Sequence, residues 1–219
     1  RNGESAWFVN SNIGLRLSEN FETRFDFLAS DVEGQLAATI SPTLYEIDPT
    51  AVNPVGVSPD VLTDRPFRDI LVTRLANRTT WESDEHRVDA AFWWLYSDYR
   101  VFRPRATEGL DFVSNSFGLD LRYSHEGELG EMRDVFEIGF QPYLEWRDMR
   151  RIQLNQGAPG LTQADHDVQT GYLAAYAENR LFLTENFAFL LGLQAVHHYR
   201  DIDENLNRGT NARSPAAEG

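Results

Sequence analysis

Apolar and polar residues alternate along most of this chain with a period of two. The clearest stretch runs from residue 136 to residue 147. One side of it would carry Phe136, Ile138, Phe140, Pro142, Leu144 and Trp146. The other side would carry Glu137, Gly139, Gln141, Tyr143, Glu145 and Arg147. Because successive side chains of a β-strand point to opposite faces, this pattern predicts strands, and helical spacing does not fit it.

The same alternation predicts about eight strands along the chain. They lie near residues 6–17, 21–30, 68–81, 86–101, 112–124, 133–148, 168–183 and 187–200. Short connections alternate with longer ones, which lie at 31–67, 102–111 and 149–167 and are rich in Pro, Gly, Asp and Asn. In an up-and-down meander, alternate connections share one end. The sequence therefore predicts an all-β protein of antiparallel, up-and-down strands, with the loop asymmetry of a transmembrane β-barrel.

The predicted strands are longer than those of most soluble sheets. They have about 12 to 16 residues, against a usual five or six in soluble proteins and about 9 to 11 in membrane barrels. Their polar side carries Arg, Glu, Asp and Gln, and their apolar side is aromatic near strand ends, as at Phe21 and Trp146. This combination favours an outer-membrane barrel with a polar lumen. Two alternatives stay open: a self-standing eight-stranded outer-membrane barrel with a structural or adhesion role, and a soluble β-sandwich binding module.

Composition and charge exclude several classes of function. The formal net charge of −14 argues against nucleic acid as a partner. The chain has no Cys, which excludes disulfides and thiol nucleophiles. Its longest nearly uninterrupted apolar runs, 90–96 and 187–193, are far shorter than the roughly 20 residues of a membrane helix. Sequence motifs for catalysis or phosphate binding are missing, so we expect a protein that is not an enzyme and has no cofactor.

Two segments near the start carry a resemblance to a known family. They are NIGLRLSENFETRFDF (12–27) and DVEGQLAATISPTLYEIDPTAVNP (31–54). In order and spacing they resemble TonB-dependent outer-membrane receptors, particularly the ferric citrate and siderophore branch, where a letRf strand runs into an external loop of the form LPGxLT…DP..AN. This chain keeps Asp48-Pro49 but has residues 37–41, AATIS, at the loop core. Segments 68–81 and 172–194 look like further strand pairs of that branch.

The resemblance covers nearly the whole chain and implies a larger assembly. Such receptors are expected to have about 22 barrel strands around an N-terminal plug, which connects them to the TonB complex. We expect residues 1–219 to supply barrel strands from the middle of such a barrel, with a long external loop at about 31–67 and without the plug. The implied location is the outer membrane of a Gram-negative bacterium, among lipid and lipopolysaccharide. The implied ligand is an iron chelate of the siderophore or ferric citrate type.

Arginines are the main candidates for binding such a ligand. Arg74 and Arg78 share the polar side of their strand, and further arginines follow the fourth and sixth strands on the long-loop side. Guanidinium groups bind carboxylates in a bidentate manner, which suits anionic iron chelates. The candidate ligand-binding residues are Arg74, Arg100, Arg103, Arg105, Arg147, Arg150 and His198.

Other interpretations of these side chains stay open. Lumenal arginines could instead pair with Asp120, Glu137 and Glu145 across the barrel wall. His197 and His198 should point to opposite faces, so we expect no shared metal ion. Residues 171–179 have apolar side chains at both odd and even positions. The sequence therefore does not decide which of them lie on the apolar side of that strand.

Overall fold

The computed structural model describes residues 3–35, 46–47, 67–102, 108–155 and 158–206. Its strands form one antiparallel sheet in which each strand pairs with the next along the chain. The strands are β1 (Glu4–Ser18), β2 (Phe21–Gln35), β3 (Phe67–Ser83), β4 (His86–Phe102), β5 (Glu108–Leu129), β6 (Met132–Asn155), β7 (Ala158–Thr184) and β8 (Phe187–Glu204). The predicted up-and-down meander of eight antiparallel strands is confirmed.

Tight turns of two residues join the strands at one end of the sheet. They are Glu19-Asn20, Asp84-Glu85, Gly130-Glu131 and Glu185-Asn186. Asp84 and Gly130 have φ angles of 37° and 72°, the left-handed conformation that tight hairpins use. We call this end the turn end and the opposite one the loop end. The predicted clustering of the short connections at one end is therefore confirmed.

The strands continue further towards the loop end than the apolar pattern predicts. The prediction of a long loop at 149–167 is wrong, because β6 runs to Asn155 and β7 starts at Ala158. In this extension Arg150 lies opposite Asp165 in a regular antiparallel register. Polar and apolar residues are mixed there without a period of two, so an apolar periodicity could not detect it. For the same reason β2 and β5 extend into the segments predicted as loops at 31–67 and 102–111.

The sheet has one apolar face and one polar face, as cross-strand pairing shows. Residues directly opposite each other share a face, so Leu75, Trp94, Phe117 and Leu144 form one apolar row across β3 to β6. Such side chains are exposed even in the middle of the sheet, with Phe117 38% exposed. Within the described residues there is one sheet and no second layer, which does not fit a two-sheet sandwich.

β1 and β8 are the two edges of the sheet. Their described residues do not pair with each other, so the sheet is open and is not a closed eight-stranded barrel. The described part of the chain contains no helix that is long and apolar enough to cross a membrane.

Candidate functional site

Four arginines form a cluster on the polar face of β1, β2 and β3. Arg24 lies directly opposite Arg78, and Arg74 lies four residues from Arg78 on the same face. That spacing corresponds to roughly 13 Å along the strand. Arg16 of β1 lies opposite Glu22, two residues from Arg24. We call Arg16, Arg24, Arg74 and Arg78 the arginine patch.

The charge of the arginine patch is only partly neutralised. Arg24 and Glu22 form an exposed ion pair, with 3.2 Å between Nη2 and Oε1. Asp26 is the other carboxylate that β1 to β3 place among these rows of the polar face, and Asp89 of β4 and Asp120 of β5 lie further along the same rows. Arg74 and Arg78 are exposed and have no hydrogen-bond or ion-pair partner among the described residues. The patch is therefore a positive region in a chain whose net charge is −14.

Arg122, further along the polar face, is in contrast paired. Its Nε lies 3.7 Å from the Glu137 carboxylate, and the Tyr176 hydroxyl donates a 2.9 Å hydrogen bond to the same carboxylate. The Tyr176 ring covers Gly139, where a Cβ would lie only 2.1 Å from the ring. Arg122 is therefore paired with a carboxylate of the neighbouring strand, as the competing interpretation of these arginines predicts.

Arg147, a predicted ligand-binding residue, is also held by neighbours on the polar face. Its Nε donates a 3.1 Å hydrogen bond to Glu145, whose side chain is only 14% exposed. Its guanidinium group also lies 5.0 Å from the centre of the Phe112 ring. Arg147 therefore has two structural partners, unlike Arg74 of the arginine patch.

Arg100 and Arg150 lie on the apolar face, at the loop end, and not beside the arginine patch. Asp111 of β5 lies between them, opposite Arg100 of β4 on one side and opposite Arg150 of β6 on the other. Arg100 contacts Asp98 and Arg150 contacts Asp148, each at 3.4 Å, and these carboxylates raise the pKa of the two guanidinium groups. Burial raises the pKa of Asp111 although both arginines act in the opposite direction.

Acidic residues surround these two arginines and form the charged rim of the apolar face. The acidic members are Asp31, Glu33, Asp69, Asp98, Asp111, Asp148, Asp165, Asp167, Asp201 and Asp203. Asp201 lies in the same row as Tyr96 and Trp146, and the rest of the rim begins directly beyond that row. The same face therefore changes from apolar to charged at a defined height, with aromatic side chains at the boundary.

The remaining candidate residues lie elsewhere. His198 is on the polar face of β8, opposite Tyr172, and His197 is on the apolar face, opposite Leu173. The prediction that the two histidines face opposite sides is confirmed. Arg103 and Arg105 lie outside the described residues, and their role stays a prediction.

The sequence reasoning overlooked part of the arginine patch. It placed Arg78 beside Arg74 but did not select it as a ligand-binding residue. It missed Arg16 and Arg24 because the alternation within one strand does not say which residue of the next strand lies opposite. The sequence shows that Arg24 lies on the polar side of its own strand. It does not show that Arg24 lies opposite Arg78 on the next strand.

A long-stranded meander with one apolar and one polar face has the architecture of a β-barrel wall. Solved structures of receptors and transporters share this fold. The chain is similar to the ferric citrate transporter FecA in its unliganded form, at 11% identity and a TM-score of 0.76. This similarity covers 94% of this chain and 31% of that chain. No protein-family model and no curated protein matches the sequence.

Two further solved structures show the same likeness. The ferric-catecholate import receptor Fiu of E. coli K12 is 13% identical, with a TM-score of 0.67. The similarity covers 99% of this chain and 41% of the Fiu chain. BauA, the ferric preacinetobactin receptor of Acinetobacter baumannii, is 13% identical, with a TM-score of 0.68. The similarity covers 93% of this chain and 36% of the BauA chain. The chain thus spans less than half the length of each. The predicted resemblance to the ferric citrate and siderophore receptors is confirmed at the level of the fold.

Proposed function

We propose that this chain supplies barrel strands of a TonB-dependent outer-membrane receptor that takes up an iron chelate. The likeness of the fold to ferric citrate and siderophore receptors supports this proposal. The apolar face then contacts lipid and the polar face lines the lumen. The turn end faces the periplasm, and the loop end, with its charged rim, faces the lipopolysaccharide layer.

The arginine patch is the observation that carries the choice of ligand. Arg74 and Arg78 face the lumen with exposed guanidinium groups that have no partner among the described residues. Unpaired guanidinium groups inside a barrel bind anions strongly, because the surroundings screen charge less than bulk water does. A ferric chelate with free carboxylates, of the ferric citrate type, carries the complementary charge and can be held by two-point contacts.

Other candidate residues take secondary roles in this proposal. Arg147 and His198 line the lumen beyond the patch, and Arg100 and Arg150 lie at the external end of the apolar face. Arg103 and Arg105, between β4 and β5 in the sequence, stay candidate ligand-binding residues of this proposal. Displacement of a plug through the TonB complex, which would drive release, is supported by the family resemblance alone.

The test compares chelate binding and uptake by the wild-type protein and by the double variant R74Q/R78Q. The full-length protein is purified in detergent, and binding of ferric citrate is followed by tryptophan fluorescence. Uptake is measured with radiolabelled iron in a Gram-negative strain that lacks its own ferric citrate receptor. We expect binding and uptake by the wild type, and a decrease of about tenfold or more in the affinity of the double variant, because two charge-assisted contacts are lost.

The matched control is R180Q, which also removes a guanidinium group from the polar face. Arg180 pairs with Glu178 at 3.0 Å near the turn end, away from the patch, so its loss should leave chelate affinity unchanged. Equal affinities of R74Q/R78Q and the wild type would contradict the role of the patch. A wild type that imports neither ferric citrate nor other ferric siderophores would contradict the proposed function itself.

A further inference from the structure

Three side chains at the turn end lie close enough together to share one metal ion. They are Glu85, in the turn between β3 and β4, His86, at the start of β4, and His125 of β5. One ligand atom from each lies within 4.8 Å of the other two. A tetrahedral zinc ion holds ligand atoms roughly 3.4 Å apart, so small side-chain rotations bring these three into place.

The backbone holds the three residues in fixed relative positions. His86 and His125 are directly opposite each other in the antiparallel pairing of β4 and β5, which places both rings on the same face. The Glu126 N–H donates a 2.8 Å hydrogen bond to the carbonyl oxygen of Glu85, which fastens the turn to β5. The site is therefore built on regular strands and a tethered turn, not on a loose loop.

Hydrogen bonding leaves one nitrogen of His86 available for a metal. Its Nδ1 lies 2.9 Å from the Tyr123 hydroxyl, so Nε2 points away from that partner. Such a second partner orients a metal-binding imidazole and selects its tautomer. The rings of His86 and His125 are stacked, with 4.8 Å between their centres and 24° between their planes.

His125 has one ring nitrogen, the buried Nδ1, without a hydrogen-bond partner among the described residues. The other ring nitrogen, Nε2, lies over Gly127, where a Cβ would be only 3.0 Å away, so the absence of a side chain there lets the ring take this position. A buried ring nitrogen without a partner costs stability unless something binds it.

We infer that Glu85, His86 and His125 bind a divalent transition-metal ion, with zinc or copper as the fitting class. Two imidazoles and one carboxylate suit these ions, whereas calcium and magnesium prefer oxygen ligands throughout. Three protein ligands leave a coordination position for water or an outside ligand. The ion would fasten the β3–β4 turn to β5 at the turn end, away from the arginine patch, so this site is independent of chelate uptake.

Metal titration of the purified full-length protein tests this inference. The protein is prepared without a histidine tag and freed of metal by a chelator, and Zn²⁺ alone is titrated by calorimetry. Cu²⁺ is then bound in place of zinc, and its electron paramagnetic resonance spectrum is recorded. We expect one saturable zinc site that is lost in H86Q and in H125Q, and nitrogen coupling from two imidazoles in the copper spectrum. Y123F should weaken zinc binding by about tenfold, because His86 loses the hydroxyl that orients its ring.

H197Q is the matched control, because His197 also lies on the apolar face but on β8. It should keep the wild-type zinc affinity. Circular dichroism of each variant checks that the sheet is intact. The inference is overturned by a wild type without saturable zinc binding, by unchanged affinity in H86Q and H125Q, or by a copper spectrum without nitrogen coupling.

Discussion

The indole ring of Trp93 covers the backbone of Gly118, which lies directly opposite it on β5. A Cβ at position 118 would lie 1.9 Å from Cζ2 of the ring, so the ring occupies the space of a missing side chain. We expect Gly118→Ala to lower the free energy of unfolding by about 1–3 kcal/mol, because the indole ring must move away. Unfolding in urea, in detergent, measures this change.

Gly192→Ala is the control for this substitution. Gly192 also lies on the polar face of a strand, but a Cβ there would meet only the carbonyl oxygen of Ala177, at 3.8 Å. Its substitution should be neutral or slightly stabilising. Adding Trp93→Leu to the Gly118→Ala variant should recover part of the lost stability. Equal effects at the two glycines would show that ring contact is not the cause.

Neighbouring alanines on β4 test which face of the sheet contacts lipid. Ala90 lies on the apolar face opposite Leu121, and Ala91 lies on the polar face opposite Arg78 and Asp120. We expect Ala90→Arg to lower the free energy of unfolding in a bilayer by about 1–4 kcal/mol, because the charge enters hydrocarbon. Ala91→Arg should cost less, because water and Asp120 can solvate the new charge. The reverse order would contradict the assignment of the faces.

Arg147 and Arg74 should respond differently to the same substitution. Arg147→Gln leaves the mostly buried Glu145 carboxylate without its cationic partner and with only the Tyr143 hydroxyl as a donor, so we expect a loss of about 1–3 kcal/mol in unfolding free energy. Arg74→Gln removes an exposed side chain without a described partner, and should change stability by less than about 0.5 kcal/mol. Urea unfolding of the two variants, without ligand, makes the comparison. A marked loss of stability in Arg74→Gln would reveal a structural role for that residue.

The charged rim gives Asp111 a measurable pH dependence. Its pKa is raised mainly by burial, helped by Asp98 and Asp148 and opposed by Arg100 and Arg150. The folded state therefore holds this proton more tightly than the unfolded state. The resulting stabilisation is present below the unfolded pKa and is lost as the pH rises through the folded pKa. At neutral pH, ionised Asp111 consequently lowers stability.

Asp111→Asn should remove this effect. At pH 7 we expect the variant to be slightly more stable than the wild type, by about 0.5 kcal/mol or less, because solvent partly screens this half-buried carboxyl. The difference should shrink as the pH falls through the folded-state pKa of Asp111, where the wild-type carboxyl takes up its proton. Melting temperatures across this range measure it. A difference that grows at lower pH would have the wrong sign.

The sequence predicted the strands well because alternation is a local property of each segment. Phe136 to Trp146 alternate without a break, and the structure has them in one strand. At the rim, the predicted strands β6 and β7 were too short. Arg150 and Asp165 are both polar and leave no apolar period to follow. The sequence does not determine which side chains of β7 lie on the polar face, because apolar side chains occur at both odd and even positions of residues 171–179.

By itself, the sequence determined the eight strands, their up-and-down order, the end at which the turns lie, and the polar side of β3 that carries Arg74. Only the tertiary structure decided the register between strands. It placed Tyr172 and Tyr176 of β7 on the polar face, Arg24 opposite Arg78, and His86 opposite His125. The physical reason is that register depends on turn geometry and on packing between strands, which join residues distant in sequence. Both the arginine patch and the histidine pair arise from such cross-strand neighbours.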